Sequence, residues 1–188
     1  MKIIFPKFIS PKLSTLVGVA EIISAIAVIV SLVYLSNQVN LNTSAIKSAS
    51  AQSVQENFAS WYSTVQSDPL LLEISINGLE DYKNLSKIEK AQFIAMFMTF
   101  SSYSQNAYYK WQEGSLSDEL WRSWEYILQQ FVLSPGGKEF WDERGYLFGD
   151  RYSNYIENNL MLREPHPKAK SWGAVKLNSE TINDSIVK

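Results

Sequence analysis

The sequence predicts an all-α protein in which a single transmembrane helix continues into a helical-bundle domain. An apolar run, residues 13–35, is long enough to cross a bilayer, which takes about 20 apolar residues. The rest of the 188-residue chain shows apolar residues at helical spacing between capping signals, with no strand alternation and no repeat. Six Trp, ten Tyr and nine Phe give this part enough apolar mass to fold.

Residues 1–12 form a basic N-terminal tail, MKIIFPKFISPK, in which Pro6 and Pro11 prevent a long helix. Its lysines alternate with apolar residues, so the segment is suited to the head-group layer of a membrane. A flexible basic tail has the same composition, and both interpretations stay open.

Residues 13–35 are interpreted as an uncleaved transmembrane anchor. A buried soluble helix is the first alternative, but such helices are usually shorter and have a polar side. A cleaved signal peptide is the second, but the Ala25-x-Ala27 pattern lies in the middle of the apolar run. Three lysines precede the run and only Lys47 follows closely, which places the N-terminus in the cytoplasm and the C-terminal domain outside.

Glu21 lies inside this span, where a charged carboxylate is costly. It can lie near the interface with water around it, or face a protein neighbour. Small residues that share one helix face beside Glu21 favour a neighbour, because small side chains let helices approach closely in lipid. The predicted oligomer or pore face consists of Gly18, Ala20, Glu21, Ser24, Ala27 and Ser31.

The helical domain is predicted over residues 36–162. The membrane helix should continue to about Gln66, with a break allowed at residues 40–43, where Asn and Thr lower helix propensity. Asp68 followed by proline predicts the start of a short helix, residues 69–77, that ends at Gly78. Ser86 and Glu89 match a capping box that opens a long helix, residues 87–113, closed by Gly114.

Ser117 should cap a further helix, residues 118–133, which the turn SPGG then stops. On this helix Trp121, Trp124 and Phe131 follow helical spacing, and we expect at least two of them to be buried. Two more helical pieces are expected, residues 138–147 and 149–162. Residues 163–188 contain two prolines and no apolar period, so they are predicted to be an extended or disordered tail.

The sequence offers little catalytic chemistry. There is no cysteine, no phosphate loop, no nucleophile elbow and no basic patch of the kind that nucleic acid requires. The one histidine, His166, lies between two prolines. Four carboxylates cluster in KEFWDERGYLFGDR, and we interpret them as surface charge: Glu139, Asp142, Glu143 and Asp150. Arg144 and Arg151 in this stretch are expected to stack on aromatic rings or pair with carboxylates. No metal and no cofactor is expected.

Two regions resemble a group of uncharacterised bacterial membrane proteins with one N-terminal transmembrane helix and a helical C-terminal domain. They are AEIISAIAVIVSLVYLSNQVNLNT, and DPLLLEISINGLEDY together with SPGGKEFWDERGYLF. The matching positions are Glu21, Tyr34, Gln38, Asn42, Thr43, Pro135, Gly136, Trp141 and Arg144. Members often carry Arg directly after the glutamine, which favours a cytoplasmic domain; this chain has Val39 there. The resemblance implies a bacterial inner membrane, and it gives no information about an activity.

These observations favour a non-enzymatic, self-associating interaction or scaffold protein whose partners are the bilayer, further copies of the chain and an unidentified protein. The alternative is a homo-oligomeric ion or proton channel with Glu21 facing the pore axis. An enzyme that uses carboxylates alone ranks last.

Overall fold

The computed structural model describes the backbone of residues 11–165 and the side chains of residues 15–165. Over this range the chain is all-α, with no β-strand, as the sequence predicts. The predictions for residues 1–10 and for residues 166–188, including His166, lie outside the described residues. The chain divides into two compact units, Met1–Ile46 and Lys47–Lys188.

The first helix, α1, runs from Pro11 to Ser67 without a break, so it ends close to the predicted residue. Pro11 and Lys12, which the sequence assigns to the N-terminal tail, are already part of this helix where the described residues begin. The break allowed at residues 40–43 does not occur. There the polar side chains bond along the helix: Thr43 Oγ1 donates to the Val39 carbonyl at 2.9 Å, and Gln38 Nε2 donates to Asn42 Oδ1 at 3.3 Å.

Helix α2, Pro69–Glu80, starts as predicted, with the Asp68 carboxylate accepting from the Leu70 N–H at 2.9 Å. Its predicted end at Gly78 is wrong. Gly78 lies inside the helix against the Phe93 ring, where an added Cβ would come within 2.2 Å of a ring carbon. The glycine is therefore required by close packing, and the helix continues for two more residues before a 3₁₀ turn, Tyr82–Asn84.

Helix α3, Lys87–Gln112, opens with the predicted capping box: the Glu89 N–H donates to Ser86 Oγ, and the Ser86 N–H donates to the Glu89 carboxylate. Gly114 follows the helix with a φ of 72°, a conformation that favours glycine. Helix α4, Asp118–Leu133, begins after Ser117, whose hydroxyl accepts from the Leu120 N–H. All three capping predictions are confirmed.

The SPGG segment does not simply stop α4, because it also starts helix α5, Pro135–Arg144. Ser134 Oγ accepts from the Gly137 N–H at 2.9 Å and donates to the Phe131 carbonyl at 2.7 Å, so one hydroxyl joins the two helices. A Cβ added at Gly136 would lie 1.7 Å from the Gly78 carbonyl oxygen. The first turn of α5 thus packs directly on the backbone of α2, which only glycine permits.

The first C-terminal helical piece, predicted at residues 138–147, begins earlier, as α5, and the second, predicted at residues 149–162, is shorter. A 3₁₀ turn, Gly145–Leu147, follows α5, then helix α6, Asp150–Tyr155, and a π-helical turn, Ile156–Leu160. The turn packs tightly, since a Cβ added at Gly145 would come within 2.8 Å of the Trp141 ring nitrogen. The close packing of Gly145 against the Trp141 ring accompanies the change from α-helix to a 3₁₀ turn, where the sequence predicts a continuous helix to residue 147.

The core of the second unit is dominated by aromatic rings. The Phe97 and Phe131 rings stack at 4.3 Å between centroids, and the Trp111 and Trp121 rings stack at 5.2 Å. The expected burial on α4 is confirmed for all three residues, with exposed fractions of 2% for Trp121, 8% for Trp124 and 2% for Phe131. Ring pairs of this kind add about 0.5–1.5 kcal/mol each beyond the burial of their area.

Candidate functional site

The face predicted from the first unit lies along α1 and is exposed within the described residues. Four small residues of that face follow one another at helical spacing: Ala20, Ser24, Ala27 and Ser31. Glu21 lies beside them, and Gly18 lies one turn earlier on the Glu21 side. A Cβ added at Gly18 would meet nothing within 4 Å, so this glycine is not explained by packing within the described chain.

The two serine hydroxyls of this face bond to their own helix. Ser24 Oγ donates to the Ala20 carbonyl and Ser31 Oγ donates to the Ala27 carbonyl, both at 2.8 Å. Each hydroxyl proton is thereby used within the helix, while the oxygen lone pairs remain available as acceptors. In this geometry the face can accept a hydrogen bond from a neighbouring helix that brings an N–H or O–H donor.

The carboxylates of the C-terminal cluster have structural partners. Glu139 pairs with Lys83 Nζ at 2.9 Å, and Glu143 accepts from the Tyr82 hydroxyl at 2.8 Å. Both partners belong to the 3₁₀ turn after α2, so the two carboxylates hold that turn against α5. Burial and the Glu143 hydrogen bond together raise the pKa of Tyr82 to about 12, so the phenol stays protonated and donates at neutral pH.

The remaining members of the cluster lie apart from these contacts. Asp142 and Asp150 are exposed, and Arg151 lies over the Tyr109 ring at 5.1 Å, as expected for a structural arginine. Arg144 Nε is buried with no hydrogen-bond partner among the described residues. Within residues 15–165, no three acidic or histidine side chains come together in a group that could hold a metal ion.

A buried polar network on α4 was missed by the sequence interpretation. Glu125 is only 6% exposed, accepts a hydrogen bond from the Tyr155 hydroxyl and pairs with an Arg163 guanidinium nitrogen at 2.9 Å. Gln129 Nε2 donates to the carbonyls of Arg163 and Glu164. Arg163 and Glu164, at the start of the predicted tail, are therefore held against α4. The sequence did contain a signal for this network: Glu125 and Gln129 lie one turn apart on α4, among apolar residues.

A cavity of about 80 Å³ lies in the second unit among the C-terminal turns of α1 and the helices α2, α3 and α4. Its lining combines the Trp61, Phe97, Phe100 and Phe131 rings with Val65 and Leu79. Tyr62, Gln66 and Leu72 are exposed and stand at its outer edge. Nothing in the sequence distinguished these residues from ordinary core positions.

Comparison with protein-family models, with curated proteins and with solved structures finds no match to this chain.

Proposed function

We propose that the chain is a single-pass, membrane-anchored, self-associating interaction protein with a non-enzymatic role. One observation carries the proposal: every described residue of α1 from residue 15 to residue 35 is exposed, apart from the half-buried Gly18, and most are large and apolar. A helix that is apolar on all sides requires a non-aqueous surrounding or extensive packing. The described residues supply no such packing, so the proposal assigns lipid to this surface.

Extraction tests the anchor. Washing membranes with alkaline carbonate should leave the full-length protein in the pellet, because an apolar span of about 20 residues does not leave a bilayer when electrostatic contacts are removed. Release into the supernatant would contradict the anchor. A variant with Ile22, Ile26 and Val30 changed to Lys is the matched control, since three charges within the run should abolish membrane retention.

The proposed location is a bacterial inner membrane, with the N-terminus in the cytoplasm and the helical domain outside. The support is the excess of lysines before the span, which the positive-inside rule relates to the cytoplasmic side. Cysteines introduced singly at Ser10 and Thr43, one on each side of the span, can be tested with a membrane-impermeant maleimide. Labelling at Thr43 in intact cells supports the orientation, and labelling at Ser10 alone reverses it.

Self-association through the α1 face is supported by the small side chains and by the outward lone pairs of Ser24 and Ser31. If copies meet along this face, their Glu21 side chains come close together and can take part in hydrogen bonds between helices. Glu21→Gln keeps hydrogen bonding, whereas Glu21→Leu removes it. We expect Leu to weaken the oligomer more than Gln does, measured as molar mass by light scattering in mild detergent.

A homo-oligomeric cation channel is the second candidate, and the acidic Glu21 beside small residues is the observation that favours it. Here Glu21→Gln alone should abolish cation selectivity in a reconstituted bilayer, because it removes the charge and keeps the shape. A strict monomer in detergent would remove this candidate. If both Glu21 variants assemble and behave like the parent, Glu21 is an interfacial residue surrounded by water, and neither role holds.

A further inference from the structure

The part of α1 that follows the proposed span carries exposed apolar side chains in a polar sequence. Residues 36–46 read SNQVNLNTSAI and include no charged residue. Val39 is 55% exposed and Ile46 is 58% exposed. Ile46 lies eleven residues after Leu35, which is roughly 16 Å along a helix, so it stands beyond the hydrocarbon and the head groups of a bilayer. Lipid therefore cannot cover this side chain.

The apolar side chains of this segment continue the face of α1 that ends at Ser31. From Ser31, spacings of four, four, three and four residues lead to Leu35, Val39, Asn42 and Ile46, here called the outer stripe. Residues three or four apart share one side of a helix. From residue 20 to residue 46 the mean spacing is about 3.7 residues, close to the repeat of about 3.67 at which paired helices wind with a right-handed supercoil. Leu41 is the one large apolar residue of residues 36–46 that lies off the stripe.

The helix is unbroken through this segment although its residues favour helix weakly. Residues 36–46 include three Asn, two Ser and one Thr, which all rank below Ala and Leu in helix propensity. Every residue from 31 to 49 is nevertheless helical and exposed. Because most helical stability in proteins comes from packing of an apolar face, the segment requires a partner that the described residues of its own chain do not supply.

Asn42 indicates what that partner is. Its Oδ1 accepts from Gln38 Nε2 at 3.3 Å, which leaves the two N–H groups of the Asn42 amide free to donate. A single Asn among apolar positions can pair with the same Asn of another helix and fix the register between the two. A second copy in the same membrane has the same orientation, so it brings Asn42 opposite Asn42. No charged residue of residues 36–46 opposes this approach.

We propose that residues 35–46 of α1 pair in parallel with the same residues of a second copy of the chain, through the outer stripe. The contact between copies thereby extends out of the bilayer into water. The proposal rests on the proposed anchor and self-association, and it adds a separate contact that can fail while those two hold.

Cysteine cross-linking of the purified full-length protein in liposomes tests the pairing. The chain contains no cysteine, and a disulfide requires Cα atoms about 4.4–6.8 Å apart. Val39→Cys and Ile46→Cys should each form disulfide-linked dimers under mild oxidation. The controls are Asn37→Cys and Ser44→Cys, which have the same seven-residue separation on the opposite side of the helix. We expect the stripe variants to cross-link roughly tenfold faster than the controls.

Equal rates at the two sides of the helix would overturn the proposal. Because no other protein is present in the liposomes, cross-linking on the stripe also excludes a different protein as the required partner. Ser24→Cys reports the face within the span separately. Cross-linking at Ser24 without cross-linking at Val39 or Ile46 would keep self-association and overturn the outer contact, whereas no cross-linking at any of these positions would remove both.

Paired charges test whether the outer stripe stabilises the oligomer. The double variant Val39→Asp, Ile46→Asp brings like charges together between copies, and it should raise the dissociation constant in mild detergent roughly tenfold. The double variant Asn37→Asp, Ser44→Asp adds the same charge on the opposite side and should dissociate like the parent. Analytical ultracentrifugation measures the dissociation constants, and far-ultraviolet circular dichroism confirms equal helix content. Equal dissociation constants of the two double variants would contradict the pairing.

Discussion

The first part of α1 and the helical domain use apolar side chains in opposite ways. From Leu16 to Leu35 the chain is mainly aliphatic, and these side chains lie open: Ile23 and Val30 are each 61% exposed. Beyond residue 47 more than half of the buried apolar residues are aromatic, and Phe93 and Leu128 are fully buried. Within the described residues, large apolar side chains are therefore exposed along the first part of α1 and form the buried core of the helical domain.

The pattern along α1 shows how the sequence separates the two regions. In the first part, apolar residues occupy every face of the helix. Later they narrow to one stripe, Val54, Phe58, Trp61 and Val65, at spacings of four, three and four. A one-sided stripe packs against a folded core, whereas apolar residues on all faces leave no side for water. The periodicity of the apolar residues, and not their number, decides which surrounding each part requires.

Among the predicted substitutions, truncation of Trp124 should lower the stability of the helical domain the most. Trp124 is buried and meets the Phe58 ring edge-on at 4.7 Å between centroids. Trp124→Ala should lower the free energy of unfolding by about 3–5 kcal/mol, from lost burial and the cavity that remains. Thermal unfolding of the full-length protein in mild detergent, followed by near-ultraviolet circular dichroism, measures it. An unchanged melting temperature would mean that Trp124 contributes no packing energy.

A second prediction compares one substitution in both regions. Gly136→Ala should cost about 3 kcal/mol or more, because the new Cβ meets the Gly78 carbonyl and the backbones of α2 and α5 must separate. Gly18→Ala meets nothing within 4 Å and should leave the melting of the domain unchanged. Tryptophan fluorescence reports the domain selectively, since all six tryptophans lie at residue 61 or beyond. Equal melting temperatures of the two variants would mean that Gly136 is no more tightly packed than Gly18.

Local signals were sufficient to predict most helix starts, because a cap depends on three or four consecutive residues. Asp68, Ser86 and Ser117 all cap where the sequence places them. The role of Gly78 was predicted wrongly and that of the buried Glu125 was not predicted, because both roles depend on distant residues. Gly78 was interpreted as a helix end, yet its position is fixed by Phe93; Glu125 has Tyr155 and Arg163 as partners. The cavity could not be predicted for the same reason, since four helices build it.

A smaller effect concerns the stability of the helical domain at high pH. Burial, followed by the hydrogen bond to Glu125, raises the pKa of Tyr155 from about 10 to about 12. The folded protein thus keeps a proton that the unfolded chain releases near pH 10. Stability from this group is fully present below pH 10 and is lost as the pH rises from about 10 to about 12, because the unfolded state then binds fewer protons.

Tyr155→Phe should therefore flatten the fall in the denaturant midpoint between about pH 10 and about pH 12, relative to the parent protein. Tyr146→Phe, at an exposed position, is the matched control for the loss of one phenol, and the comparison with the parent cancels the titration of the lysines. Tyr82→Phe should flatten the same interval, since burial and Glu143 raise the pKa of Tyr82 to about 12 as well. If the denaturant midpoints of the Tyr155 and Tyr146 variants fall in parallel with that of the parent over this pH interval, burial and the Glu125 contact do not keep the Tyr155 phenol protonated. The start of the C-terminal segment is then held by Arg163 and Gln129 alone.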